Sequence, residues 1–247
     1  MSYKRLLLKI SGEALASPDI FYGKDTYTQG SFLYHGPTLH RLAKDLANLA
    51  QKGFEIGIVI GGGNIIRGAS LTQTLPVRRP VADTMGMMAT IINAMAFQQV
   101  FEFLGVDCRV QTSIPMETVA EAYSRRRALK HLEKGRIVIF AGGTGDPYFT
   151  TDTASVLRAL EMECDVLIKA TNVDGIYSDD PKKDSSAILY KELTFQEAID
   201  KRLKIMDATA FTLLRENKIP LMVCSIEKTH DIDAMLHGQT ACTRIFS

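Results

Sequence analysis

Six short apolar segments recur along the chain, and they constrain its fold more than any other feature. None is longer than nine residues, and most of the stretches between them have helical periodicity. Runs of this length suit strands that helices cover on both faces, as in a parallel sheet. The pattern therefore predicts an α/β fold with a mainly parallel sheet and crossover helices on both faces. The segments are Leu6–Ile10, Ile56–Ile60, Val106–Ile114, Ile137–Phe140, Val166–Ile168 and Leu221–Ile226.

Apolar spacing and glycines predict where the helices lie. Capping residues mark two further helix starts, a capping box at Thr194–Glu197 and an N-cap at Asp207. The segment 17–37 has no clear period, which predicts an exposed loop or a small hairpin. The three longer helices are expected over residues 39–50 before Gly53, from near Asp83 to Gly105, and from about Glu117 to Gly135.

Composition excludes several classes of partner. The 29 Lys and Arg residues nearly balance the 28 Asp and Glu residues, which argues against nucleic acid or an anionic membrane surface as a partner. The apolar runs are far shorter than the roughly 20 residues that span a bilayer. The four cysteines never approach CxxC spacing, so we expect buried thiols in a reducing cytoplasm and no metal cluster. No linker or repeat interrupts the sequence, and residues 1–247 are predicted to form one domain.

Glycines and small polar residues follow four of the apolar segments. In a parallel sheet the carboxyl ends of these strands share one edge, where ligands of open α/β sheets bind. A glycine can simply relieve the turn from strand to helix, but four coincident sites favour a phosphate-bearing ligand. The four sites are Ser11-Gly12, Gly61–Asn64, Gly142–Gly145 and Thr171-Asn172.

The common phosphate-binding motifs are absent from the sequence. The only Gly-Lys pair, at positions 23–24, precedes Asp25 and cannot complete a Walker A motif. Gly61 and Gly63 are followed by Ile66 where the Rossmann motif needs a small residue. The HRD and DFG motifs of protein kinases are also missing. Phosphate binding must therefore use a different arrangement.

Two lysines interrupt predicted buried strands. Lys9 lies in the first strand and Lys169 at the end of Asp165–Lys169, and a charge there is costly unless it meets an anion. Each could also snorkel or pair with a structural carboxylate. Both point toward the glycine-rich edge, an arrangement that suits phosphoryl transfer. Asp152 could cap a helix or hold the lysines in position.

Six segments together resemble bacterial uridylate kinases of the amino acid kinase superfamily, from about Tyr3 to the C-terminus. The resemblance implies phosphorylation of UMP by ATP with Mg²⁺, a three-layer α/β/α sandwich and a homohexamer. It also implies an N-terminal acceptor lobe and a C-terminal ATP lobe. The segments are LLLKISGEAL (6–15), IGIVIGGGNIIRG (56–68), ADTMGMMAT (82–90), FAGGTGDPYFTTDTAS (140–155), DVLIKATNVDGIYSDDP (165–181) and KIMDATAFTL (204–213).

The resemblance also assigns roles to individual residues. The catalytic residues would be Lys9, Lys169 and Asp152, with no protein residue assigned to the metal. The ATP-binding residues would be Lys9, Ile10, Ser11, Gly12, Gly63, Arg67, Thr171, Asn172, Tyr177 and Asp180. The UMP-binding residues would be Gly62, Asp83, Thr144, Gly145, Asp146, Pro147, Tyr148, Phe149, Thr150 and Thr151.

Two other interpretations remain open. A kinase for another acceptor, such as CMP or a carboxylate, would use the same phosphate-binding edge, although the GTGDPYFTTD segment argues against it. A nucleotide-binding storage or regulatory protein could share the fold without catalysis. Retention of both lysines and Asp152 argues against that alternative.

Overall fold

A computed structural model describes residues 3–16, 33–66, 71–73, 75–179, 181, 183–184 and 186–247. Within these residues, nine strands form one sheet in the order β4-β3-β5-β2-β1-β6-β10-β11-β9, and β7 and β8 form a separate two-stranded ribbon. The strands are β1 (Arg5–Ile10), β2 (Glu55–Ile60), β3 (Cys108–Thr112), β4 (Glu121–Ala122), β5 (Ile137–Ala141), β6 (Val166–Thr171), β7 (Ile176–Tyr177), β8 (Leu189–Tyr190), β9 (Glu192–Thr194), β10 (Leu221–Ser225) and β11 (Thr243–Phe246).

Helices cover both faces of the large sheet. One apolar core lies between the sheet and α1, α2 and α7, and the other lies between the sheet and α3 to α6. The predicted α/β fold is therefore confirmed. The helices are α1 (Gly36–Gln51), α2 (Arg79–Phe103), α3 (Arg125–Glu133), α4 (Thr151–Glu161), α5 (Phe195–Asp200), α6 (Ala208–Asn217) and α7 (Ile232–Leu236), with short 3₁₀ helices at Gly12–Leu15 and Ile226–Asp231.

Strand pairing brings the predicted glycine-rich ends together. The strands β5, β2, β1 and β6 are consecutive parallel neighbours, so their carboxyl ends share one edge as expected. Lys9 is directly opposite Lys169 in the register of β1 and β6. Side chains alternate along a strand, so Leu6, Leu8 and Ile10 enter one core while Leu7 enters the other. Lys9 thus lies on the face that α4 covers.

The third predicted helix is wrong over its first half. Residues 121–122 form β4, with Glu121 opposite Gln111 of β3, and α3 begins only at Arg125. The Gln111 side chain donates to Glu121 Oε2 at 3.0 Å and accepts from the Ser124 N–H at 3.1 Å. These contacts at the sheet edge outweigh the helical spacing of the local sequence, because strand formation depends strongly on context.

The other predicted boundaries agree more closely. The helix expected from near Asp83 begins four residues earlier, at Arg79, with Pro80 in its first turn. Gly53, with φ +95°, ends α1 as expected, and Thr194 forms the expected capping box. Of the predicted loop at 17–37, Gly36 and Pro37 begin α1, and residues 17–32 lie outside the described part.

Two further expectations concern thiols and membranes. All four cysteines are buried and free, and burial raises the pKa of the Cys224 thiol to about 12. Among the residues described, no helix has the length and apolar character needed to cross a membrane.

Candidate active site

Lys9 and Lys169 share one carboxylate at the centre of the glycine-rich edge. Lys9 Nζ lies 3.0 Å from Asp152 Oδ1, and Lys169 Nζ lies 2.9 Å from Asp152 Oδ2. Lys169 also donates to the carbonyl oxygen of Ile205 at 2.6 Å. All three charged side chains are at most 16% exposed, so water screens their interactions weakly. Asp152 therefore holds two cations side by side at the ends of neighbouring strands.

Burial and neighbouring charges shift the pKa values of Asp152 and Lys169 in opposite directions. Burial alone would raise the pKa of Asp152, but the charges of Lys9 and Lys169 reverse that effect and lower its pKa below the ordinary 3.8. Burial lowers the pKa of Lys169 below its ordinary 10.5, and Asp152 offsets only part of the change. The carboxylate is thus stabilised in its ionised form.

The first turn of α4 places Asp152. Thr150, not Asp152, caps this helix: its Oγ1 accepts from the backbone N–H groups of Asp152 at 3.0 Å and Thr153 at 3.4 Å. The Thr150 hydroxyl also donates to Asp207, which accepts from Thr153 Oγ1 as well. Asp207 caps α6, as predicted, by accepting from the Ala210 N–H at 2.9 Å. Two helix starts are thereby joined behind the lysines.

The loops after β1 and β2 approach each other closely. A Cβ atom at Gly12 would lie 2.4 Å from the carbonyl oxygen of Gly61, so only glycine fits here. The fully buried Asn93 of α2 donates to that same Gly61 oxygen at 2.7 Å and to Asn64 Oδ1 at 2.7 Å. A buried amide pair therefore fixes the turn after β2.

A pocket of about 230 Å³ opens beside this turn, between the start of α2 and the β5–α4 loop. It also contains Gly63, which was expected on the ATP side, and Gly143, which belongs to the predicted glycine-rich edge. Arg79, Met87 and Thr90 line it too and were not predicted as site residues. A larger cavity of about 340 Å³ lies at the opposite ends of β6 and β10 and is separate from this site. Of the predicted acceptor residues, the 230 Å³ pocket brings together Gly62, Asp83, Thr144, Phe149, Thr150 and Thr151.

Asp83 connects two walls of this pocket. Its carboxylate accepts from Arg79 Nε at 2.7 and 2.8 Å and from the Tyr148 N–H at 2.8 Å. Tyr148 has φ 72°, an uncommon conformation for a non-glycine residue, and its backbone bond to Asp83 holds it there. The other predicted residues of this loop, Gly145, Asp146 and Pro147, do not line the pocket, and neither does Tyr148.

Comparison with known proteins identifies the family of this chain and similar structures. The profile of the Amino acid kinase family matches residues 4–225. This chain belongs to the amino acid kinase family. A UMP kinase structure from Ureaplasma parvum is 35% identical, with 100% of both chains covered and a TM-score of 0.89. One from Bacillus anthracis is 36% identical over 100% of this chain and 97% of the other, with a TM-score of 0.87. A uridylate kinase structure from Archaeoglobus fulgidus, at 24% identity, 97% and 99% coverage and a TM-score of 0.69, shares the fold.

The residues expected to bind ATP in this amino acid kinase family member lie on both sides of the lysines. Lys9 and Ile10 end β1 and precede Ser11 and Gly12, but the Ile10 side chain is fully buried in the core. On the other side, Thr171 ends β6 and precedes Asn172, and Tyr177 lies in the β7–β8 ribbon. Arg67 and Asp180 lie outside the described residues. Ile10 could therefore contact a ligand only through its backbone groups.

Another feature of the site is its set of candidate ligands for Mg²⁺. No group of three or more His, Cys, Asp or Glu residues in the described part could hold a metal ion. Mg²⁺ commonly keeps several waters and binds through substrate phosphates with few protein ligands. A Mg²⁺ ion that accompanies a nucleotide would therefore need few ligands from these residues.

Several residues of this site were not predicted from the sequence. Asn93 and Thr90 lie in α2 among apolar neighbours, where helical spacing predicts only core packing, and Arg79 lies before the start predicted for this helix. Pro80 beside Arg79 was an available sign that the helix begins early and carries Arg79 into the pocket. The contacts of Asn93 with Gly61 join residues 32 positions apart, and no local pattern encodes them.

Proposed function

We propose that this chain is a UMP kinase, which transfers the terminal phosphoryl group of ATP to UMP and forms ADP and UDP. One observation carries the proposal: two largely buried lysines share Asp152 beside the acceptor pocket. The two bacterial UMP kinase structures that resemble this chain over its full length support the choice of acceptor. Acting on UMP places the enzyme in pyrimidine nucleotide biosynthesis.

The proposed arrangement divides a single domain into two lobes. The N-terminal lobe supplies the acceptor pocket through the β2 turn and α2, and the C-terminal lobe supplies the ATP side through β6 and the β7–β8 ribbon. Lys9 and Lys169 lie where the lobes meet, directly opposite each other in the pairing of β1 with β6. UMP and ATP would therefore approach the lysines from opposite sides, which suits in-line transfer.

Lys9 and Lys169 would act by electrostatic stabilisation. Charge develops on the oxygens of the transferred phosphoryl group, and preorganised cations stabilise it without further reorganisation. Asp152 positions both ammonium groups, and Ile205 fixes the second one. Bound Mg²⁺ would neutralise charge on the ATP phosphates. The chain needs no covalent intermediate, because holding the two nucleotides in line supplies much of the rate enhancement.

We also propose a cytoplasmic homohexamer. Buried, unpaired thiols are consistent with a reducing compartment. Assembly is supported by a stripe of exposed apolar side chains on α2, which a monomer would leave in water. The stripe consists of Val81, Met88, Ile92, Met95 and Phe103, each at least 45% exposed.

A coupled assay of nucleoside diphosphate formation tests the function. The chain, ATP and Mg²⁺ are combined with UMP, CMP, AMP or a carboxylate acceptor such as acetylglutamate. We expect a clear preference for UMP. A preference for another acceptor would establish a different kinase, and binding of both nucleotides without UDP formation would identify a nucleotide-binding protein that lacks catalysis.

A further inference from the structure

Arg158 is a charged residue in the protein interior, six positions after Asp152 on α4. Only 6% of its surface is exposed. Glu161 neutralises it by accepting from Arg158 Nη1, and the same carboxylate oxygen accepts from the Tyr123 hydroxyl at 2.5 Å. The guanidinium carbon lies 3.6 Å from the centroid of the Tyr123 ring. Burying a charge costs free energy even when it is paired, so the remaining donors of Arg158 need an explanation.

The other end of the guanidinium leads to the acceptor pocket. Arg158 Nη2 donates to Ser113 Oγ at 2.8 Å, and Ser113 Oγ donates to the carbonyl oxygen of Gly143 at 3.0 Å. Ser113 directly follows β3, and Gly143 lines the pocket. A continuous chain of hydrogen bonds therefore joins α4 to the pocket wall.

The loop that contains Gly143 has little local conformational preference. Gly142, Gly143 and Gly145 have φ values of 77°, 59° and 91°, in the region that glycine adopts readily. Glycine also loses more conformational entropy on ordering than any other residue, so contacts from outside add to the loop's own turn bond, which joins the Gly145 N–H to the Gly142 carbonyl oxygen at 3.1 Å. The Gly142 N–H donates to Thr90 Oγ1 at 2.8 Å, and Ser113 Oγ donates to the Gly143 carbonyl oxygen.

We propose that Arg158 is a positioning residue for the acceptor nucleotide, acting through Ser113 on the Gly143 carbonyl. The inference rests on the proposed function, because it takes the pocket to be the acceptor site. A loop held in one conformation binds its ligand without a further ordering cost. Loss of this connection should therefore weaken acceptor binding and leave ATP binding nearly unchanged.

The test compares Ser113→Ala, Arg158→Lys and the double variant with the wild type. Lysine retains a cation near Glu161 but lacks the second arm of the guanidinium. We expect each single variant to raise KM for UMP about three- to tenfold, the range that one hydrogen bond spans, with much smaller changes in kcat and KM for ATP. The double variant should show little more effect than Ser113→Ala alone, because both changes break one connection.

Ser124→Ala is the matched control, since Ser124 precedes α3 at its N-cap position without a side-chain capping bond. Hydrogen exchange of the 142–149 peptide gives a readout that does not depend on the reaction, and it should become faster in both single variants but not in the control. An unchanged KM for UMP in an active Ser113→Ala variant would overturn the inference. A wild type that forms no UDP would overturn the proposed function. Hydrogen exchange would then decide whether Arg158 positions the loop. Unchanged exchange in Ser113→Ala would overturn this positioning role, and faster exchange would support it. If Arg158→Lys fails to fold, Ser113→Ala decides alone.

Discussion

Lys9 and Lys169 are the residues on which the proposed chemistry most depends. We predict that Lys9→Ala or Lys169→Ala lowers kcat by about 10²–10³, because each removes a preorganised charge from the transferred group. Steady-state kinetics and far-UV circular dichroism check the prediction. Lys4→Ala is the control, since Lys4 precedes the same strand but its side chain is 72% exposed. Near-normal turnover by either variant would remove that lysine from the mechanism.

Asp152 should make stability depend on pH. Its pKa is lowered in the folded state, so its contribution is complete above its ordinary pKa and is lost as the pH falls through the folded value. We predict that Asp152→Asn lowers the free energy of unfolding by about 3 kcal/mol at pH 7, because two largely buried lysines lose their counterion.

The difference in the free energy of unfolding between wild type and Asp152→Asn should decrease below about pH 4, because a protonated Asp152 resembles asparagine. Urea unfolding at pH 7, 5 and 3.5 measures it. A difference that stays constant over this range would show that Lys9 and Lys169 do not stabilise the ionised form of Asp152 in the folded state.

At the scale of elements, the close approach of the β1 and β2 turns fixes the site edge. We predict that Gly12→Ala lowers the free energy of unfolding by about 1–3 kcal/mol, because the added Cβ meets the Gly61 carbonyl and the backbone must shift. Gly36→Ala is the matched control, since a Cβ there has no neighbour within 4 Å. Equal thermal midpoints for the two variants would contradict a steric role for Gly12.

Prediction from sequence succeeded for central elements and failed at the periphery. The strands β1, β2, β5 and β6 are buried on both faces, so their apolar runs are visible in the sequence, and parallel pairing then places Lys9 beside Lys169. The strands β4, β7 and β8 have two residues each and form only where a partner is available. Such short strands leave no periodic pattern to detect.

Prediction of the site succeeded for local features and failed for long-range contacts, as it did for the fold. Strand ends and glycines are local features, and they indicated the edge of the sheet where the candidate site lies. The path from Arg158 through Ser113 to Gly143 joins residues 45 and 30 positions apart, and each is an ordinary residue for its local segment. Only the folded arrangement shows why α4 contains a buried arginine.

At the scale of the whole molecule, the α2 stripe should control assembly. We predict that Ile92→Glu reduces the oligomer to smaller species, because a charge cannot be buried unpaired in an apolar contact. Light scattering coupled to size-exclusion chromatography measures the mass. Thr212→Glu, on the exposed side of α6, is the control and should leave the mass unchanged. A wild type that is already monomeric would contradict the proposed hexamer.

The helix α4 carries functional groups at two separated points, with Asp152 in its first turn and Arg158 further along. Each residue of a helix advances 1.5 Å and turns by 100°. Inserting or deleting one residue between these positions would rotate one group away from its partners while the other stayed in place. Substitutions can adjust either end of α4 independently. The number of residues between Asp152 and Arg158 cannot change, however, without losing either the contact with the two lysines or the contact with Ser113.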